Sequence, residues 1–305
     1  MSPNDLRLFI QFTMTGISEG ALLALIALGL VLIYKSTDVL NFAHGEFMLL
    51  GAFITWDLMV NYQLPVLLAL PLAGAIMILV AIAVERLMLR PLIGKPVISI
   101  IMVTIGMSSV IHAIVGAIWG PKRQVLPQLF PEILEGPGLR IFVEGVRRPA
   151  QMSYERIYWV LVAIVLVLLF VLFFRRSRQG IAMRATADDQ QAAMSMGISI
   201  QRIFAITWSV AALTAGVSGL MVADFDTVST SINEVVLRAF PVIILGGLDS
   251  IAGAIIGGMI IALTEQYVSG FIDPSLKNVV PYLVLLLVLM ARPYGLFGEK
   301  IIERV

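Results

Sequence analysis

Residues 158–174 read YWVLVAIVLVLLFVLFF, without a single charge, and Arg175, Arg176 and Arg178 follow at once. At 1.5 Å per residue a helix of this length covers most of a hydrocarbon core about 30 Å thick. Backbone in lipid must satisfy its own N–H and C=O groups, and a barrel strand would alternate polar and apolar residues, so an uninterrupted apolar run is a membrane helix. Outward from this run, similar segments lie at 8–34, 39–57, 64–88, 97–119, 203–223, 236–249, 251–271 and 279–297. The composition agrees: 59% of the 305 residues are hydrophobic and 13% charged, where soluble domains carry about 25% charged residues. The expected fold is an all-α, polytopic transmembrane helical bundle of eight to nine membrane segments in one domain, residues 1–305. The second and seventh segments are interrupted by Gly, His, Glu or Pro and are expected to be broken or re-entrant. The first has no distinctly basic flank and exceeds a signal-peptide core in length, so it is expected to be a retained span.

Placement of Lys and Arg sets orientation. With 175–202 cytoplasmic, alternation puts Lys35, the Arg86, Arg90 and Lys95 group, and the C-terminal tail on the same side, and twelve of the 21 basic residues lie inside. The N-terminus is then periplasmic and the C-terminus cytoplasmic. The loop 120–156 carries Pro121, Pro127, Pro131, Pro137 and Pro149, cannot be one continuous helix, and is expected to form an external cap. Small residues four apart, Gly253 with Gly257, Ala212 with Gly216 and Ala215 with Gly219, suit close helix approach in lipid.

Several function classes fall away. Lys plus Arg number 21 against 20 Asp plus Glu, which leaves no basic surface for nucleic acid. With no cysteine there is no disulfide or thiolate metal site. No Walker-type phosphate loop is present, so any ATP is hydrolysed elsewhere, and His44 and His112 do not form a zincin motif. No catalytic residue, metal ligand or resident cofactor is expected.

Two stretches stand out. NFAHGEFMLLGAF at 41–53 sets Asn41, His44 and Glu46 among apolar residues. Ionisable groups at membrane depth face a cavity or a partner by default; the alternative is that they cap a helix start at the interface. Glu85, beside Arg86, is expected to form an interfacial pair with it, whereas Glu19 and Glu265 are left open. The second stretch is RATADDQQAAMSMGISIQR at 184–202. A surface helix is expected over 187–196, with Asp188 and Asp189 at its N-terminal end, Gly197 at its stop, and Ala192, Ala193 and Met196 on one side, suited to docking into another protein's groove; the alternative is a helix lying on the membrane surface.

The stretches 16–34, 41–53, 184–220 and RPYGLFG at 292–298 resemble the permease subunits of ATP-binding-cassette importers for branched-chain amino acids, the LivH type. Gln191, Ala192, Ala193 and Gly197 resemble the family's EAA-x-x-x-G coupling motif, with Gln in place of Glu. The resemblance implies a bacterial inner-membrane pathway subunit that works beside a LivM-like second permease. It also implies two cytoplasmic ATPase subunits, which carry ATP and Mg, and a periplasmic substrate-binding protein. ATPase coupling would fall to Arg184, Asp188, Asp189, Gln191, Ala192, Ala193, Met196 and Gly197. The polar candidates for the translocation pathway are Asn41, His44, Glu46, Thr104, Ser108 and Ser109. Alternative readings are a permease for urea, amides or small organic acids, and a stand-alone secondary transporter, which the interruptions near Gly45 and Pro241 would suit.

Overall fold

A computed structural model of the protein describes residues 2–130 and 138–298. Eleven α-helices are described: α1 (Pro3–Thr37), α2 (His44–Val60), α3 (Val66–Val84), α4 (Val97–Trp119), α5 (Tyr154–Arg176), α6 (Arg178–Asp188), α7 (Gln190–Ser195), α8 (Ile200–Phe225), α9 (Ala239–Gly246), α10 (Ile251–Phe271) and α11 (Val280–Ala291). The all-α, polytopic expectation holds. Among the described residues, six helices are long and apolar enough to cross a membrane: α1, α3 with its continuation to Leu92, α4, α5, α8 and α10. The second and seventh expected segments are indeed shortened, to 17 and 8 residues, and the ninth is a 12-residue helix. Between α8 and α9 the chain runs as a 3-10 helix, Thr230–Arg238.

Two compact units emerge. One comprises residues 28–127 and 167–236. Its centre is α2, of which 14 residues are buried, and its packing is set by glycines. Gly51 lies against Gly216 of α8, and a Cβ at Gly219 would overlap the Met48 carbonyl. Lipid is as apolar as a leucine side chain, so helices associate through van der Waals contact between closely approaching backbones. The small residues at 216 and 219 serve that approach as their spacing suggested.

The other unit comprises residues 1–27, 128–166 and 237–305, described to Gly298. Gly16 and Gly20 of α1 meet Leu263 and Met259 of α10, and Gly258 meets the α1 backbone at Gly20 and Ala24. The motif at 292–298 docks on the end of α9: Leu296 and Phe297 N–H groups donate to the Leu245 and Gly246 carbonyls at 2.8 and 3.0 Å. A short helix ending in lipid leaves its last carbonyls without donors, and this return of chain supplies them. The 120–156 region adds a small antiparallel pair, β1 (Leu139–Ile141) with β2 (Ala150–Met152), which the all-α reading lacked. Gln11 of α1 holds it, its amide donating to the Gln151 carbonyl and accepting from the Gln151 N–H, both at 2.9 Å. Pro131, Pro137 and the C-terminal tail beyond Gly298 lie outside the described residues. Gly16 to Gly20 has the G-x-S-x-G spacing of a serine nucleophile, yet it sits inside α1 with Ser18 Oγ donating to the Thr15 carbonyl at 2.9 Å, not on a strand-to-helix turn.

Because Gly219 touches backbone, a larger residue there must push α2 and α8 apart. Gly219→Leu is expected to destabilise the chain by about 3 kcal/mol, measured as a lower unfolding midpoint in detergent, whereas Gly106→Leu, which meets no atom within 4 Å, leaves the midpoint unchanged.

Candidate functional site

Glu46 occupies the first turn of α2 and its side chain is 4% exposed. Three elements converge on it. Asn233 Nδ2, from the 3-10 helix, donates to Oε1 at 2.7 Å. Ser108 Oγ, from α4, donates to the same oxygen at 3.3 Å. His112 Nδ1, one turn further along α4, lies 3.3 Å from Oε2. Gly45 makes the first contact possible, since a Cβ there would fall 2.6 Å from the Asn233 carbonyl. Ser108 stands at the centre of α4, with 11 residues on either side, which puts the carboxylate opposite the middle of a membrane-crossing helix.

His44 is fully buried, and neither ring nitrogen makes a hydrogen bond. It fits against Thr214 and the space left by Gly29, where a Cβ would meet both side chains. Asn41 Oδ1 accepts from the Ala43 N–H at 3.0 Å, while its buried Nδ2 has no acceptor. Asn41 and Thr104 line a small, mostly apolar cleft with Leu89, Ile93, Phe204 and Trp208. Buried polar groups without partners are costly, so His44 and Asn41 hold uncommitted bonding capacity inside an apolar wall. Asp38, at the turn before them, adopts a left-handed backbone with φ 56°; burial holds its carboxyl above the usual carboxylate range. Of the six pathway candidates, the structure thus brings Glu46 to Ser108 and Asn41 to Thr104. Ser109 points elsewhere: it is exposed and donates to the Ile105 carbonyl of its own helix. Sequence reading missed Asn233, which lies 187 residues from Glu46, and it weighed His112 only as a zinc ligand.

The 184–202 stretch differs from expectation in two respects. The expected 187–196 helix is divided between α6 and α7, because Asp189 leaves the helical conformation and caps α7, its Oδ1 accepting from the Gln191 and Ala192 N–H groups at 2.8 and 2.9 Å. Asp188 ends α6 instead of starting a helix. Gly197, at φ +83°, closes α7 as expected: Ile198 N–H donates to the Ala193 carbonyl and Gly197 N–H to that of Met194, at 3.0 and 2.9 Å. The expected apolar side is also corrected. Ala193 is buried, whereas Ala192, Met194 and Met196 are exposed, Met196 at 84%. Arg184 is engaged within the chain, its Nη1 donating to the Phe174 carbonyl at 3.2 Å and its guanidinium lying over the Phe174 ring.

Glu85, Glu19 and Glu265 are paired. Glu85, fully buried, is bound by Arg90 through two hydrogen bonds at 3.2 and 2.9 Å, so the expected Arg86 partner is replaced by the residue one turn on. Arg238, at the start of α9, bonds Glu265 of α10 and, at 3.3 Å, Glu19 of α1. One guanidinium thus ties three elements at positions that the sequence left open. Among the described residues no group of three or more His, Asp or Glu side chains is placed to hold a metal ion.

The family model for the permease component of branched-chain amino acid transport systems matches residues 12–289. The high-affinity branched-chain amino acid transport system permease protein LivH of Escherichia coli K12 is 30% identical over 311 positions, covering 97% of this chain and 98% of that protein. BraD of Pseudomonas aeruginosa, of the same description, is 29% identical with the same coverage. A probable branched-chain amino acid permease, LivH of Methanocaldococcus jannaschii, is 27% identical over 92% of each chain. No solved structure gives a significant match.

Removing Arg238 strands two carboxylates in an apolar setting. Arg238→Met is expected to destabilise the chain by about 3–5 kcal/mol, seen as a lowered thermal midpoint, and the added change Glu265→Gln is expected to recover part of that loss.

Proposed function

The chain belongs to the family of permease components of branched-chain amino acid transport systems, and from that premise we propose that it forms half of the pathway of an ATP-driven importer of branched-chain or other hydrophobic amino acids. It works beside a second permease of the same kind, with two cytoplasmic ATPases and a periplasmic binding protein. The N-terminus faces the periplasm and α6 and α7 face the cytoplasm. The observation that carries the reading is α7: a short helix fixed at both ends by Asp189 and Gly197, presenting Ala192, Met194 and Met196 outward. Thioether side chains repack against a partner as its surface moves. ATP-driven motion of the ATPases displaces this helix, and rigid helices tilt between two arrangements, which is alternating access. The ligand's pathway runs past the polar candidates, with Asn41, His44, Glu46, Thr104 and Ser108 retained and Ser109 dropped.

The shortened helices α2 and α9 would equally suit a transporter that works alone, and reconstitution separates the two. The importer reading expects leucine uptake only when the ATPases, the second permease and the binding protein are present with ATP. Uptake by the isolated chain on an ion gradient would replace it. Within the complete assembly, Gly197→Val forces a β-branched residue into the left-handed region and distorts the stop of α7. Uptake per ATP is expected to fall by about tenfold while membrane insertion is unchanged; full uptake by this variant would remove α7 from the coupling role.

A further inference from the structure

We infer that Glu46, with His112 and Asn233, receives the ammonium group of a zwitterionic amino acid at mid-membrane. The inference rests on the permease reading and adds to it the ligand group recognised and two residues that recognise it. Glu46 is the carboxylate at the midpoint level of α4. Its location in the first turn of α2 sets it at the positive end of a 17-residue helix. Asn233 and Ser108 are neutral donors; they fix the carboxylate in place without cancelling its charge. His112 cancels it only when protonated.

The exposures give the direction of approach. The Glu46 side chain is 4% exposed and that of His112 44%, so the carboxylate is reached past the imidazole. Both His112 and Ser108 bind at 3.3 Å, longer than the 2.7 Å of Asn233. An arriving ammonium therefore displaces the two loose donors on the open side while Asn233 keeps the carboxylate oriented from behind. An ammonium brings three N–H donors and a full positive charge to the carboxylate. A molecule of the same shape with a hydroxyl in place of the ammonium brings neither.

The test uses the complete five-subunit transporter in liposomes, reading leucine uptake per ATP hydrolysed. Glu46→Gln keeps the length and hydrogen-bond acceptor but loses the charge; Glu46→Asp keeps the charge but shortens the reach. Charge recognition expects the Gln variant to fall at least about tenfold with binding-protein-stimulated hydrolysis retained, and the Asp variant to remain within about threefold of the parent. A packing role expects the reverse, and an unimpaired Gln variant, or an Asp variant that falls as far, overturns the proposal. Modification of Glu46 by a hydrophobic carbodiimide, followed by mass spectrometry, then identifies the ligand group. Leucine is expected to slow it and the α-hydroxy acid counterpart of leucine is not; equal protection by both overturns the ammonium assignment. A parent assembly with no ATP-driven uptake would remove the permease reading, and this inference with it, and is recognisable because it precedes any substitution.

Discussion

A hydrocarbon solvent offers no hydrogen bonds, and every helix end placed within it must find its partners in the protein. The end of the 8-residue α9 and the start of α2 both expose this requirement. The carbonyls at the end of α9 are met by Leu296 and Phe297. The start of α2 follows a turn in which Asn41 folds back on the Ala43 N–H. Irregular backbone at such depth is tolerated only when protein covers it, and Val39, Asn41 and Ala43 are all buried. The interrupted helices bring polar side chains to the interior of a membrane chain at a cost that the surrounding packing offsets.

That packing rests on backbone proximity. Gly51 with Gly216, Gly219 with Met48, and Gly246 with Gly253 bring main chains into contact where any side chain would intrude. The charged groups follow the same economy of pairing: Glu85 with Arg90, and Glu265 and Glu19 with Arg238. Burial of an ion pair in place of an apolar contact contributes little to stability, but losing one partner is expensive, so these pairs act as commitments to one arrangement of helices.

How much of this the sequence disclosed depends on whether the deciding contacts are local. Apolar runs and their flanking charges are local, and helices such as 97–119 and 251–271 were legible to the residue. The shortness of α2 and α9 was legible too, because Gly, His, Glu and Pro interrupt them. The division of 184–202 into two helices was not, since it turns on Asp189 preferring to cap α7 over continuing α6, a choice among near-equal local energies. The partners of Glu46 and Arg238 were out of reach for a different reason. Asn233 and Ser108 become neighbours of Glu46 only through folding across 187 and 62 residues, and a single sequence carries no record of such pairings.

The junction between α9 and α10 also limits how the chain can vary in length. Only residues 247–250 separate the two helices, while Gly246 faces Gly253 and Gly247 abuts Gly298. Inserting one residue would rotate α10 by about 100° relative to α9 and turn Glu265 away from Arg238. The turn between β1 and β2 has no such coupling downstream. Indels are therefore affordable at the rim of this protein and ruinous at a four-residue corner inside it.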